Sequence, residues 1–600
     1  MSGFYGDRFS AAREMVNGGP IDVLTGDYLA ELTMAILYKS KRKDPLSGYA
    51  TSFLKQMEEI MGTCLEKNIK VVTNAGGLNP AGLAAALQSA AEATGLSPRI
   101  AWIEGDDLIN RLPELKKAGE SLQHLDRGIP LWQAPSRPIS ANAYLGCWGV
   151  VEALKHGADI VVTGRVADAA LVMGPAAWHF NWQHTDWDCL AGAAAAGHVI
   201  ECGTQATGGN YSFFPEVPSF RKIGFPLAEI HDDGSCVISK HPGTGGLVSI
   251  GTVTAQLMYE IQQPGYLTPD VTARFDTIRL TQQDHDRVLL NGVKGEPPTS
   301  TAKVCVNNLA GFKNSMTIVL TGLDIQEKAR LVEDSFFNSV GGREQFDRVE
   351  VQLIPSGHDN PASNEEAFNY LRISVFDADH NKAGRLFFSK IVELALANIP
   401  GFHVTAPPAD AQPAIVYWPA LVAKKHLQQK ITLGSELFLV DETIPEPAPF
   451  LSDPIKPAQA IETNYDNNSQ MIRIPLGRIF ATRSGDKGGN ANLGVWGQNS
   501  EAYSFLHAFL TIEKLKELLP DTKEYEIERY EFPNLLAINF FIRGFLGDGA
   551  AASIKMDPQA KTLGEYLRAK IIAVPEALLK SLSDRGNLET GDHSEHDNSG

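Results

Sequence analysis

The sequence predicts an α/β protein of two domains, and three observations carry that expectation. In the first third, short β-branched runs alternate with helical stretches. Between residues 444 and 460, five prolines interrupt the pattern. Beyond them, from 471 to 576, strand and helix signals resume over roughly 100 residues, a usual domain size.

The alternation can be followed element by element. Ile21–Leu24 reads as a strand and Tyr28–Lys41 as a helix; Ser52–Lys67 is a second helix before the strand Ile69–Thr73. Pro80–Thr94 is helical and leads to the strand Ile100–Glu104, then Ala143–His156 as a helix, Asp159–Thr163 as a strand and Ala167–Trp178 as a helix. Buried β-branched strands separated by helices imply βαβ units in a mostly parallel sheet with flanking helices. From about Phe225 hairpin-like runs appear (Gly234–Ile238, Asp286–Leu290). From Ala302 to Pro400 longer strands recur with helices near Ile325–Ser339 and Gly384–Ala397, an α+β insert. Residues 1–443 thus form one domain and 444–470 a proline-stiffened linker. Residues 471–576 form a second domain, with strands near Ile472, Glu526–Tyr530 and Leu535–Ile542 and a helix at Ile512–Leu519. The polar, acidic stretch 577–600 is expected to be disordered.

Charge and cysteines exclude several functions. The 53 basic and 71 acidic residues give a net charge of −18, without a basic stripe, which argues against a nucleic-acid partner. No apolar run approaches the roughly 20 residues of a membrane span, and the N-terminus lacks the basic and apolar regions of a signal peptide. Six scattered cysteines without a C-x-x-C pair point to reduced thiols and a cytoplasmic address.

Four segments carry candidate chemistry. Thr73–Pro80 joins a strand to a helix; Gly76 and Gly77 let the backbone approach a ligand, Asn74 can orient it, and Asn79 caps the helix that Pro80 opens. The alternative is a tight βα turn without a ligand. In Val162–Asp168, Arg165 suits a carboxylate or phosphate and Asp168 can orient it, or the two clamp a helix start. In Gly197–Tyr211, the i, i+3 and i+4 spacing puts His198, Glu201 and Cys202 on one helical face, fit for a general base or a thiolate, with Asn210 in the glycine-rich sequel; the alternative is a buried helix end beside a glycine-rich turn. Ala481–Gly494 is a polar, glycine-rich loop bearing Arg483, Ser484, Asp486, Lys487, Asn490 and Asn492, built to hold an anionic or hydroxylated ligand or to pair with loops of the first domain; the alternative is a solvated charged turn. No G-x-S-x-G, H-E-x-x-H or dinucleotide fingerprint is present.

Taken together with Ser2–Arg8 and Leu546–Gly549, these loops resemble the signature stretches of the acyclic terpene utilisation (AtuA) family, over nearly all of residues 2–575. The resemblance implies an AtuA domain followed by a smaller ferredoxin-like α+β domain. It also implies a setting in acyclic terpene catabolism through branched acyl-CoA intermediates. Members of the family usually place an apolar strand before the Gly-Phe-x-Gly-Asp-Arg segment. Here that segment opens the chain, so one strand of the sheet is expected to be absent.

The expected activity is a lyase or hydratase acting on a branched carboxylated acyl-CoA or related acid. Asp168, His198, Glu201 and Asp486 would move protons. Asn74, Gly76, Gly77, Arg165, Asn210, Arg483, Ser484, Lys487, Asn490 and Asn492 would bind substrate. No cofactor is expected; a divalent metal and a homo-oligomer are left open. The rivals are a non-catalytic subunit of an acyl-CoA enzyme and the same fold recruited to secondary-metabolite biosynthesis.

Overall fold

The computed structural model describes residues 1–440 and 470–579. The linker expected at 444–470 therefore falls almost wholly outside the described residues, as does the tail from 580 on. Residues 576–579 are helical, with Leu578 buried in the C-terminal core, where the sequence reading expected a disordered stretch from 577.

The first domain is built on a sheet with the spatial order Val23–Gly26, Lys70–Thr73, Ile160–Thr163, Ile100–Glu104, all parallel, then Lys430–Leu433 and Glu436–Leu439, antiparallel. Every residue of Ile160–Thr163 is buried, as a central parallel strand covered on both faces requires. Helix Pro80–Ala93 starts as its sequence dictates: Asn79 Oδ1 accepts the Gly82 N–H at 3.0 Å, and Pro80 opens the first turn. Helix Trp187–Ile200 is apolar on all sides and buried continuously from Leu190 to Val199. It runs through the core, and so carries His198 inside.

One boundary differs from expectation. Ala143–His156 is not one helix: Pro138–Ala143 is a strand and the helix spans Trp148–Lys155. The strand is recruited by the 21-residue strand Thr301–Thr321, which also pairs with Phe368–Asp377 and Gln412–Ala423. This is the α+β insert. One face of its sheet packs Ile318, Ile373 and Val375 against Phe336 and Phe387 of helices Ile325–Val340 and Phe387–Glu393.

The C-terminal domain has the ferredoxin-like character expected, an antiparallel sheet with helices. Its strand order is Ala481–Lys487, Asn490–Trp496, Ala537–Ile542, Ile527–Phe532. The segment read as a polar loop is here a β-hairpin, with Lys487 opposite Asn490 and Gly488–Gly489 as the two-residue turn, Gly488 at φ +64°. Arg483, Asn490 and Asn492 mask the strand pattern because they meet polar groups of the first domain rather than an apolar core. Among the described residues no helix is long and apolar enough to cross a membrane.

Candidate functional site

The carboxyl ends of the parallel strands converge, as loops of such sheets do. Asp27 follows Val23–Gly26, Asn74 follows Lys70–Thr73, Asp106 follows Ile100–Glu104, and Arg165 and Asp168 follow Ile160–Thr163. Asn74 Nδ2 donates to Asp27 Oδ1 at 2.6 Å while its Oδ1 accepts the Tyr28 N–H at 2.8 Å. Gly76 and Gly77 serve this packing: a Cβ at Gly76 would lie 2.5 Å from the Thr163 carbonyl, and Gly77 holds φ +51°. Arg165, 3% exposed, donates to Asp168 Oδ1 at 2.6 Å and to the Leu29 carbonyl at 3.3 Å, with its guanidinium 4.1 Å over the Tyr144 ring. Burial opposes its charge, and Asp168, Tyr144 and Asp27 outweigh that opposition. Asp106 accepts the Arg165 N–H and Asn142 Nδ2, each at 2.8 Å, and burial pushes it up to about 7.

His198 and Glu201 come from the end of the buried helix. Nδ1 lies 3.1 Å from Glu201 Oε1, and the imidazole is flanked by the Tyr266 and Phe275 rings at 4.9 and 5.4 Å. Burial drives His198 down to about 4, with the Lys487 charge adding to it. Burial, then Asp168 and Glu260, push Glu201 well above the usual carboxylate range. Burial and Asp168 do the same to Asp27. Burial thus disfavours the charged form of both members of the pair. Burial with Glu201 and Glu260 pushes the Cys202 thiol well above its ordinary value, which removes the basis for a thiolate. Asp27, Asp168 and Glu201 line a cavity of about 20 Å³ with Ser2, Thr25 and Phe225, room for about one water.

The imidazole predicts a pH effect. The unfolded chain accepts a proton near 6.5 that the folded state refuses until about 4, so this contribution to stability falls as pH falls through that window. Asp27 and Glu201 act with the opposite sign, holding protons in the folded state that the unfolded chain releases above its ordinary carboxylate range. A His198→Phe variant keeps those carboxyl contributions. Its unfolding free energy relative to the parent should rise by about 1.4 kcal/mol per pH unit between 6.5 and 4, and stay flat above. Urea titrations across that range check it.

The C-terminal hairpin closes the other side. Lys487 is near enough for its charge to act on both His198 and Glu201. Arg483 donates to Gln205 Oε1 and lies 4.1 Å over the Tyr259 ring, where Lys561 also sits at 4.5 Å. A side chain at Gly485 would collide with that same ring. Lys561 Nζ is 3.9 Å from both Glu260 Oε1 and Asp486 Oδ1. Asp486 thus borders the site through Lys561, next to Tyr259 rather than next to His198.

Other residues expected to bind substrate are placed differently. Ser484 Oγ donates to the Ala560 carbonyl and accepts the Gly564 N–H, inside its own domain. Asn490 donates to Asp126 and accepts the Gly544 N–H. Asn210 is exposed at φ +64°. Asn492 docks the domains: Nδ2 donates to the Met258 carbonyl at 2.8 Å and Asn539 Oδ1 at 3.0 Å, and Oδ1 accepts the Glu260 N–H at 2.9 Å. Asn492→Ala strands those buried partners and should cost about 1–3 kcal/mol, read as a lower urea midpoint and earlier proteolytic release of the C-terminal domain.

The structure adds residues that the sequence reading missed: Asp27, Asp106, Tyr144, Tyr259, Glu260 and Lys561. Asp27 had a signal, an acid directly after a strand. Glu260 had none; it occupies φ +54°, a backbone conformation costly for a non-glycine residue and concentrated at functional sites. Among the described residues no group of three or more His, Cys, Asp or Glu is placed to hold a metal ion.

A search of the curated proteins finds no match. The family model of the AtuA ferredoxin-like domain matches residues 474–573, and that of the acyclic terpene utilisation family protein AtuA matches residues 1–433. A model spanning that much of the chain, followed by its companion domain, shows that the protein belongs to the acyclic terpene utilisation (AtuA) family.

Proposed function

We propose that the protein is a lyase of the hydratase type, adding water to or eliminating it from a branched, carboxylated acyl-CoA or related acid formed in acyclic terpene breakdown. The observation that carries this reading is that Glu201, whose carboxyl burial pushes well above the usual range, shares a water-sized cavity with the Arg165-bound Asp168. Glu201, which burial drives toward its uncharged form, can give a proton, and Asp168, held by Arg165 at 2.6 Å, can take one. In the elimination direction Asp168 takes the proton from the carbon next to the carbonyl. The neighbouring C–O bond breaks, and Glu201 gives its proton to the departing hydroxyl, which leaves as water. His198, neutral at 3.1 Å, orients the Glu201 carboxyl. Arg165 and Lys487 offset the negative charge of the substrate. The cavity holds about one water as it stands, so the acyl group enters by displacing one of its walls.

The test is proton exchange in heavy water. Incubation with a branched saturated acyl-CoA should introduce deuterium at the carbon next to the carbonyl, seen by mass spectrometry. Unchanged mass across branched acyl-CoAs and free acids would remove the acid–base reading.

A further inference from the structure

The sheet of the α+β insert carries a cluster of cations on the face away from its apolar core. Lys313 lies opposite Phe376 on one neighbouring strand, and Arg348 lies opposite the same Phe376 on the other. Cross-strand partners share a face, as do alternate residues of one strand, so Lys313, Arg348, Arg372 and Ser374 point to one side. Ile373 and Val375 point to the other, into the core. Lys39, exposed on helix Glu31–Lys43, reaches the same place from a distant part of the chain, and its charge acts on Lys313.

The positive charges there lack matching acids. Arg348 donates to Asp548 Oδ2 at 2.9 Å, but Asp548 is already shared with Arg127. Lys313 Nζ donates to the Ser553 carbonyl at 2.8 Å, and Arg372 to the Ile554 carbonyl at 2.9 Å. Each of these two half-buried cations thus gives an N–H to a neutral carbonyl and, among the described residues, pairs with no carboxylate. Burial, then the Arg372, Arg348 and Lys39 charges, lower Lys313 to about 8, so every charge acting on it is a cation. Burial lowers Arg372 too, against the more distant Glu350. Beside Arg372 on the strand, Ser374 is 1% exposed and its hydroxyl has no partner. A chain of net charge −18 has acids to spare, so cations gathered without them mark a place kept for an anion.

We infer that Lys313, Arg372 and the Ser374 hydroxyl bind a phosphate group, with Lys39 at its edge. An ammonium, the free fork of a guanidinium and a hydroxyl donor match the several oxygens of phosphate. Its second negative charge answers two cations, where a carboxylate would answer one. Free phosphate and a phosphomonoester present the same group, and the test separates them. The inference does not depend on the acid–base reading.

The experiment is isothermal titration of the full-length protein at low salt with inorganic phosphate and, separately, with AMP. The parent should bind one equivalent of phosphate with a Kd below about 1 mM, and more weakly as salt rises. Lys313→Gln and Arg372→Gln should each weaken binding at least about tenfold. Lys39→Gln, a change on an exposed helix surface, keeps the test decisive should those variants fail to fold, and should weaken binding about threefold. Tighter binding of AMP than of phosphate would support a phosphomonoester ligand, and the reverse order would support free phosphate. No binding of either compound by the parent at millimolar concentration would overturn the assignment. Unchanged affinity in folded Lys313→Gln and Arg372→Gln, or in Lys39→Gln where those do not fold, would overturn it as well.

Discussion

Replacing Glu201 by Gln is expected to lower kcat/KM by about 10²–10⁴-fold while leaving thermal stability nearly unchanged. The two halves of that expectation share one cause. The Glu201 side chain is 9% exposed, and burial, Asp168 and Glu260 drive its carboxyl toward the uncharged form, so a neutral amide of the same shape replaces it without stranding a charge. What the amide cannot do is give up a proton at neutral pH. Turnover by mass spectrometry and a melting curve on the same preparation check both halves. Retained turnover would take Glu201 out of the chemistry.

Arg165→Ala carries the largest expected effect on stability, a loss of about 3–5 kcal/mol of unfolding free energy. The guanidinium is buried against Tyr144, engages Asp168 and the Leu29 carbonyl, and sits among Asp27, Asp168 and Glu201 as the counter-charge of the cluster. Its removal leaves carboxyl groups in a low-dielectric site without that partner. Arg165→Lys should restore only part of the loss, because an ammonium cannot lie flat on the ring while bonding Asp168 and the carbonyl together. Urea unfolding of parent and both variants measures the order. A loss under about 1 kcal/mol for the alanine variant would mean that the cluster is solvated and is not the closed site described above.

These outcomes show which parts of the molecule were legible in its sequence. The parallel strands were legible because Val71, Val72 and Ile160–Val162 are buried on both faces and read as β-branched runs between helices. Asn79 and Pro80 announced their helix start because capping chemistry is local. Asn74, Arg165, Asp168, His198 and Glu201 were nominated together because strand ends are where an α/β fold gathers its loops, and the structure brings them together. The hairpin at Ala481–Trp496 was illegible as strands. Its side chains are selected by the partner domain: Arg483 by Gln205 and Tyr259, Asn492 by the Met258 carbonyl and the Glu260 amide. Glu260 could not be nominated at all. Its place depends on a contact with Asn492, 232 residues away, and on a left-handed backbone that no local motif announces.

The central claim, that the Glu201 carboxyl and its neighbours add or remove water, meets its most direct test in water labelled with heavy oxygen. Purified full-length protein would be incubated with a branched 2-unsaturated acyl-CoA, and the product mass compared for the parent and Glu201→Gln. The account predicts a hydroxylated product carrying one heavy oxygen from the parent and almost none from the variant. Unchanged substrate from folded parent protein, or equal labelling by both, would contradict it.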